Sequence, residues 1–265
     1  SRAFGQLSNN FGWYLRTQQG KMKNTFRWRG AQGIHTLASG LDDYPRAVNR
    51  SDLEEHLDLH CWMIHSAHNL DRMAIALERF DLVHFKAIAD ELVATLHERF
   101  WSTSAKAYCD WDGRENKHVE HYGYISLFPL LFGLIPVDSP MLSDTLHLIE
   151  NDTLLKSSFG LRSLARSDPM FGTHENYWRG PVWININYLT LRALHRYYLV
   201  DGPYKDRAQA AYTTLRRSII NNVFRVYKKQ GTMFENYNAL NGGGQGQHPF
   251  AGWTSLVVLI MAEIY

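Results

Sequence analysis

The feature that most limits how this chain can fold is an alternation in its hydrophobic pattern. Runs with apolar residues every three or four positions come in pairs joined by short breaks, and the pairs are separated by long polar stretches. Phe4, Leu7, Phe11 and Leu15 trace an opening helix. Gly20 to Arg50 follows as an irregular stretch, and so long a structureless connection is unusual in a compact domain unless it is functional. Ser51-Asp52-Leu53-Glu54 reads as a capping box, and Leu53, Leu57, Ile64, Ala67, Leu70, Ala74 and Leu77 then form the stripe of a long helix. A turn at 80–83 hands over to its partner, marked by Phe85, Ile88, Leu92, Leu96 and Phe100. A second polar stretch, Trp101 to Tyr122, precedes a helical pair at Gly123 to Phe132 and Met141 to Ile149, split by Gly133 to Pro140. After a third, about Ser157 to Gly180, Ile184, Tyr188, Leu191, Leu194 and Tyr198 form a helix that stops at Gly202-Pro203. Its partner carries Ala208, Ala211, Leu215, Ile219 and Val223. The fourth stretch, Lys228 to Phe250, leads into a last helix from about Ala251, and no period-two strand stands out.

In antiparallel helix pairs the short turns fall at one end and the long connections at the other. The pattern therefore predicts an all-α fold, a ring of stacked αα-hairpins with its polar loops gathered at one end, which is the natural place for a pocket. Composition narrows the ligand. A formal net charge of +2 with no run of like charges argues against nucleic acid or a charged membrane surface, so a neutral, polar ligand is expected. Two cysteines, Cys61 and Cys109, make no disulfide framework, and no segment here reads as a signal peptide or a membrane span. His56, His60, Cys61 and His65 lie close together but lack the glutamate of a zinc helix, so no metal is expected. Gly242 to Gln247, GGGQGQ, has neither the spacing nor the preceding strand of a dinucleotide fingerprint, and no cofactor is expected either.

The densest polar stretch is Phe171 to Tyr188, FGTHENYWRGPVWININY. It combines Glu175, Arg179, Trp178, Trp183 and three asparagines with a Gly180-Pro181 break. Pro181 suits the first turn of a helix, which would make 175–180 a loop and set Glu175 at a helix mouth. So many fixed polar groups beside aromatic planes suit a polar, flat ligand, although a hydrogen-bonded loop holding a core together has the same composition. Carboxylates recur in the other loops as Asp42, Asp43 and Glu235. Two carboxyl groups flanking a scissile bond are what glycoside hydrolysis requires, one protonated for the leaving oxygen and one ionised to activate water. Tryptophan and tyrosine faces would stack on sugar rings, and the glycines of GGGQG would let backbone approach a ligand.

At this point the residues resemble a known family. ASGLDDYPRA, EEHLDLHCWM, HENYWRGPVWININYL and MFENYNALNGGGQGQHPFAGWTSLV are similar to the processing α-glucosidases of glycoside hydrolase family 63, from about Phe11 to the C-terminus. The resemblance implies an (α/α)6 toroid, here incomplete with about eight of twelve helices. It implies residues 1–265 as a single catalytic domain, its C-terminal portion, with the upstream part of the same enzyme as a partner. It implies an inverting glycosidase that removes the terminal α-1,2-linked glucose from the N-glycan precursor, in the lumen of the endoplasmic reticulum, with an oligosaccharide substrate. By motif, Asp42 matches the general acid and Glu235 the general base. The substrate-binding positions expected are Trp28, Asp43, Tyr44, Arg46, Glu54, Asp58, Glu175, Asn176, Tyr177, Trp178, Arg179, Trp183 and Tyr237. Glu54 and Asp58, one helical turn apart, are expected on a single face. Two other readings remain open: an inverting α-glycosidase for trehalose or a small glucoside, and a carbohydrate-binding fragment without catalysis.

Overall fold

A computed structural model describes residues 2–79 and 84–265. The expected turn at 80–83 lies outside the described residues. The chain divides into two compact units, Ser1–Glu120 and His121–Tyr265. Eight α-helices occur among the described residues.

In the first unit α1 is Arg2–Thr17, α2 is Leu57–Ala76 and α3 is His84–Arg99. The stripes anticipated for α2 and α3 pack together: Ile64, Ala67, Leu70 and Ala74 are buried on one helix, and Phe85, Leu92 and Leu96 on the other, where Ala89 joins them, while the anticipated Ile88 is half-buried and Leu77 is exposed. Phe4 and Phe11 of α1 meet the edge of Phe85 at 6.3 and 5.9 Å between ring centroids. Such edge contacts add to the burial of three large apolar side chains.

The capping box does not start α2. Its reciprocal hydrogen bond forms, with the Ser51 amide donating to Glu54 Oε1 at 2.8 Å, but it closes a turn ahead of a strand. Glu54–Glu55 (β1) pairs with Asp110–Asp112 (β4), which pairs in turn with Lys117–Val119 (β5). The helix begins three residues later, where the Asp110 carboxylate accepts the otherwise orphaned Leu57 amide at 2.8 Å. Glu54 and Asp58 therefore do not share a helix face. Trp101–Ser102 (β2) and Ala107–Tyr108 (β3) make a second small hairpin in this unit.

The second unit is built from two helical hairpins and a final short helix. Tyr124–Leu131 (α4) is buried throughout, and Pro140–Glu150 (α5) opens with proline at its start and Ser139 Oγ accepting the Met141 amide. Ile184–Tyr198 (α6) and Lys205–Gln230 (α7) pack side by side, and Gly231, at φ 70°, closes α7. Val257–Ala262 (α8) follows a 3-10 turn at Trp253–Leu256, so the last helix starts later than its apolar run suggests. Two-residue strands Lys156–Ser157 (β6) with Gly160–Leu161 (β7), and Asn236–Tyr237 (β8) with Gly244–Gln245 (β9), tie the long loops together.

Pro181 is not in a helix. Val182 instead exchanges backbone hydrogen bonds with Tyr237 at 2.8 and 3.0 Å, and α6 starts only at Ile184. Behind it, Asn187 stitches the hairpins: its Oδ1 accepts the Leu161 amide at 2.8 Å, and its Nδ2 donates to the Trp183 carbonyl at 2.7 Å and to the Tyr124 hydroxyl at 2.9 Å. The Tyr124 hydroxyl donates to the Leu161 carbonyl at 2.7 Å, and burial pushes its phenol well above the ordinary range. This part of the 171–188 stretch has the character of the loop that holds a core together.

Candidate functional site

Each unit carries a polar cluster built from the expected residues. In the second unit the cluster centres on Glu235, in the loop that leads from α7 to β8. Its half-buried carboxylate is held at both oxygens: the Tyr177 phenol donates to Oε1 at 2.6 Å, and the Gln247 amide donates to Oε2 at 3.1 Å. The backbone is pinned too, because the Glu235 amide donates to the Gln247 carbonyl at 3.0 Å and Trp253 Nε1 donates to the Glu235 carbonyl at 2.7 Å. Gly246, at φ +71°, permits the approach. A Cβ there would lie 2.4 Å from Glu235 Oε2, inside any allowed contact. Each carboxylate oxygen has a second lone pair beyond its one donor, so the group is oriented yet able to accept a proton.

The aromatic wall beside it is largely closed. Trp178 and Trp183 stack 3.9 Å apart at 11°, and Trp183 Nε1 donates to the Tyr177 carbonyl at 2.9 Å. Both tryptophans and Tyr237 are buried, and burial pushes the Tyr237 phenol up to about 12. Their faces pack on protein, so they brace Tyr177 and Glu235 and do not offer themselves as sugar platforms. Arg179 is buried as well and donates to Thr173 Oγ1 at 3.0 Å. Glu175 is exposed and lies nine residues before α6, not at its first turn as expected. Asn176, half-buried at φ 51°, has a side-chain oxygen with no hydrogen-bond partner among the described residues. Trp253, which sequence reasoning missed, is half-buried, lies 5.6 Å from Trp183 and packs on Phe250 at 4.8 Å. Gln247 was missed for a plain reason: it contributes a backbone amide, which no side-chain motif reveals.

In the first unit the SGLDDYPR loop turns at Leu41, whose carbonyl accepts the Tyr44 amide at 3.1 Å. Asp42 is half-buried and its carbonyl accepts the Thr36 amide at 2.8 Å, whereas Asp43, Tyr44 and Arg46 are buried. Arg46 grips Asp58 with both terminal nitrogens, at 3.1 and 2.7 Å, and reaches Asp110 at 2.7 Å. Burial opposes both charges, but Asp110 and Asp58 raise Arg46 while Arg46 beside it lowers Asp58, so the Arg46–Asp58 pair stays ionised. Trp28 Nε1 donates to Asp58 Oδ2 at 3.1 Å, and the Trp28 amide donates to His56 Nδ1 at 3.0 Å. That bond leaves the His56 proton on Nε2, facing Glu54 Oε2 at 3.1 Å. Burial alone would raise Glu54, but His56, the Ser51 amide and Arg50 bring it down to about 2. Trp28, Arg46, Glu54 and Asp58 thus meet in one closed network. His60 is taken up elsewhere, donating from Nε2 to the Leu92 carbonyl at 2.8 Å. Cys61 and Cys109 are free, buried thiols, and burial pushes both upward. No group of three or more potential metal ligands gathers among the described residues.

Helical hairpins whose connecting loops carry fixed carboxylates define the architecture of the (α/α)6 toroid glycosidases. A solved mannosylglycerate hydrolase from Thermus thermophilus, described as a family 63 enzyme in complex with glucose, superposes with a TM-score of 0.63 at 21% identity over 81% of this chain and 50% of its own. The chain belongs to glycosyl hydrolase family 63, whose C-terminal domain model matches residues 1–115 and 112–263. It is 39% identical to a probable mannosyl-oligosaccharide glucosidase of Schizosaccharomyces pombe, over 99% of this chain and 34% of that protein. It is 34% identical to the mannosyl-oligosaccharide glucosidase of Saccharomyces cerevisiae, over 99% of this chain and 35% of that protein. The chain therefore spans about a third of the length of these relatives. No described helix is long and apolar enough to cross a membrane.

Proposed function

We propose that this chain is part of an inverting α-glucosidase that removes the terminal α-1,2-linked glucose from the N-glycan precursor in the lumen of the endoplasmic reticulum. Residues 1–265 act in this reading as one catalytic domain, together with the rest of a longer enzyme. Asp42 donates a proton to the glycosidic oxygen as the bond to the anomeric carbon breaks. Glu235 takes a proton from a water molecule whose oxygen bonds to that carbon from the opposite face, so an α-linked glucose leaves as the β anomer. The buried Arg46, Glu54, Asp58 and Trp28 support the acid's loop, and Tyr177 holds the base. Glu175, which is exposed, and Asn176, whose side-chain oxygen has no hydrogen-bond partner among the described residues, are assigned to sugar hydroxyls.

The observation that carries the reading is Glu235 itself. A carboxylate fixed at both oxygens by a phenol and a backbone amide, with a glycine required beside it, is arranged as an oriented base. A surface carboxylate would have no such hold. The test is Glu235→Gln in the full-length enzyme, assayed on a glucosylated oligosaccharide and, in parallel, on trehalose. Turnover of the oligosaccharide is expected to fall by about a hundredfold or more with its KM little changed. Undiminished turnover removes Glu235 from the chemistry, and wild-type activity confined to trehalose moves the substrate to the small-glucoside class.

A further inference from the structure

We infer that Asp110 is a positioning residue for the general acid, acting through Arg46 on the loop that carries Asp42. The inference rests on the assignment of Asp42 above and extends it to a residue that the sequence motifs leave out.

Asp110 opens β4, yet its carboxylate serves neither the sheet nor solvent. One oxygen, Oδ1, accepts the Leu57 amide at the first turn of α2, and the other, Oδ2, accepts Arg46 Nη1 at 2.7 Å. A single buried carboxylate thus ties three segments distant in sequence: the 42–46 loop, the start of α2 and the strand. Arg46 has no slack. Its side chain is fully enclosed, Nη2 is committed to Asp58, and Nη1 is shared between Asp58 at 3.1 Å and Asp110 at the shorter 2.7 Å. Asp42 sits four residues before Arg46, and the intervening Asp43, Tyr44 and Pro45 are buried, so a shift of the guanidinium travels along a short, packed tether.

Asparagine at 110 cannot do the same work. Both Leu57 N–H and Arg46 Nη1 are donors, and an amide offers one accepting oxygen while turning its NH2 toward the other donor. Leaving a buried guanidinium or helix amide facing that group is costly, and the arrangement can relax only by moving Arg46 or the helix start. A misplacement on the order of 1 Å is enough to lose up to about a hundredfold in rate at a catalytic group.

The experiment uses the full-length enzyme and compares a glucosylated oligosaccharide with α-glucosyl fluoride, whose fluoride departs without a proton. Asp42→Asn should lose about a hundredfold or more on the oligosaccharide and much less on the fluoride, the signature of a missing acid. Asp110→Asn should show the same selectivity at smaller size, about tenfold on the oligosaccharide, and Asp110→Glu should recover part of it. Adding Asp110→Asn to Asp42→Asn should lower the oligosaccharide rate little further, because both act on one step. The ratio of the two rates within one preparation is independent of the fraction folded. Equal losses on both substrates, or additive losses in the double variant, would make Asp110 a stability residue and overturn the inference. Failure of both Asp110 variants to fold would overturn it as well. If Asp42→Asn lacks the selectivity, the assignment of Asp42 falls first, and the two failures are told apart by that arm.

Discussion

Gly246 stands at φ +71° beside Glu235, so alanine there meets two penalties: a left-handed backbone and a Cβ 2.4 Å from Oε2. Gly246→Ala is expected to cost about 1–2 kcal/mol of stability, read from a urea midpoint, and to lower kcat by about tenfold or more by turning Glu235 away from its two donors. A variant that melts like the wild type and keeps its kcat would show that the steric hold on Glu235 is unnecessary. The same neighbourhood shows what the sequence could reveal. Tyr177 and Glu235 were legible as functional candidates because each sits in an unusual polar-aromatic motif, although the hydrogen bond between them, 58 residues apart, was not. The tryptophans misled in the opposite direction. The hydrophobic pattern sets Trp28, Trp178 and Trp183 in loops, but does not reveal that all three are packed against protein.

At the scale of elements, long apolar stripes gave the helices of α2, α3, α6 and α7 to within a few residues, because burial of one face dominates their stability. Starts and short pairings were not legible. A two-residue strand cannot display a period of two, and the start of α2 is set by Asp110, 53 positions beyond the amide it caps. Burial in α2 also has a consequence for acid stability. His60 lies between Phe26 and Phe100, at 5.8 and 4.8 Å, and burial holds it down to about 4 from an ordinary 6.5. The unfolded chain takes up a proton there once the pH falls below about 6.5, while the folded chain resists until about 4. His60 therefore stabilises the fold fully above that window and its contribution is lost between pH 6.5 and 4, by up to about 3 kcal/mol. His68 and His118, which burial also lowers, act in the same direction. Glu54, held at about 2, adds a second loss as the pH falls from its ordinary 4.5 toward 2. Urea unfolding across this range should show stability falling from pH 6.5 downward, and His60→Phe should flatten the upper limb. A stability that is level between pH 6.5 and 4 would contradict the account of His60.

At the scale of the whole molecule, each unit turns a long loop next to its helices into a fixed polar cluster by means of backbone amides and small strands, with buried ion pairs added in the first. The all-α class with paired helices was readable because hairpins alternate regularly with long loops, and the family because its motifs are long. The division into two compact units was not readable, since no linker composition marks position 120. In the proposed reaction water attacks from the face opposite the departing sugar, a stereochemical outcome that can be read without any variant. Proton NMR of the glucose first released by the full-length enzyme, recorded before mutarotation, tests it directly. The account predicts that β-glucose appears first and the α anomer grows in only as the solution equilibrates. Release of α-glucose at the outset would mean retention, a base acting as nucleophile, and a different role for Glu235.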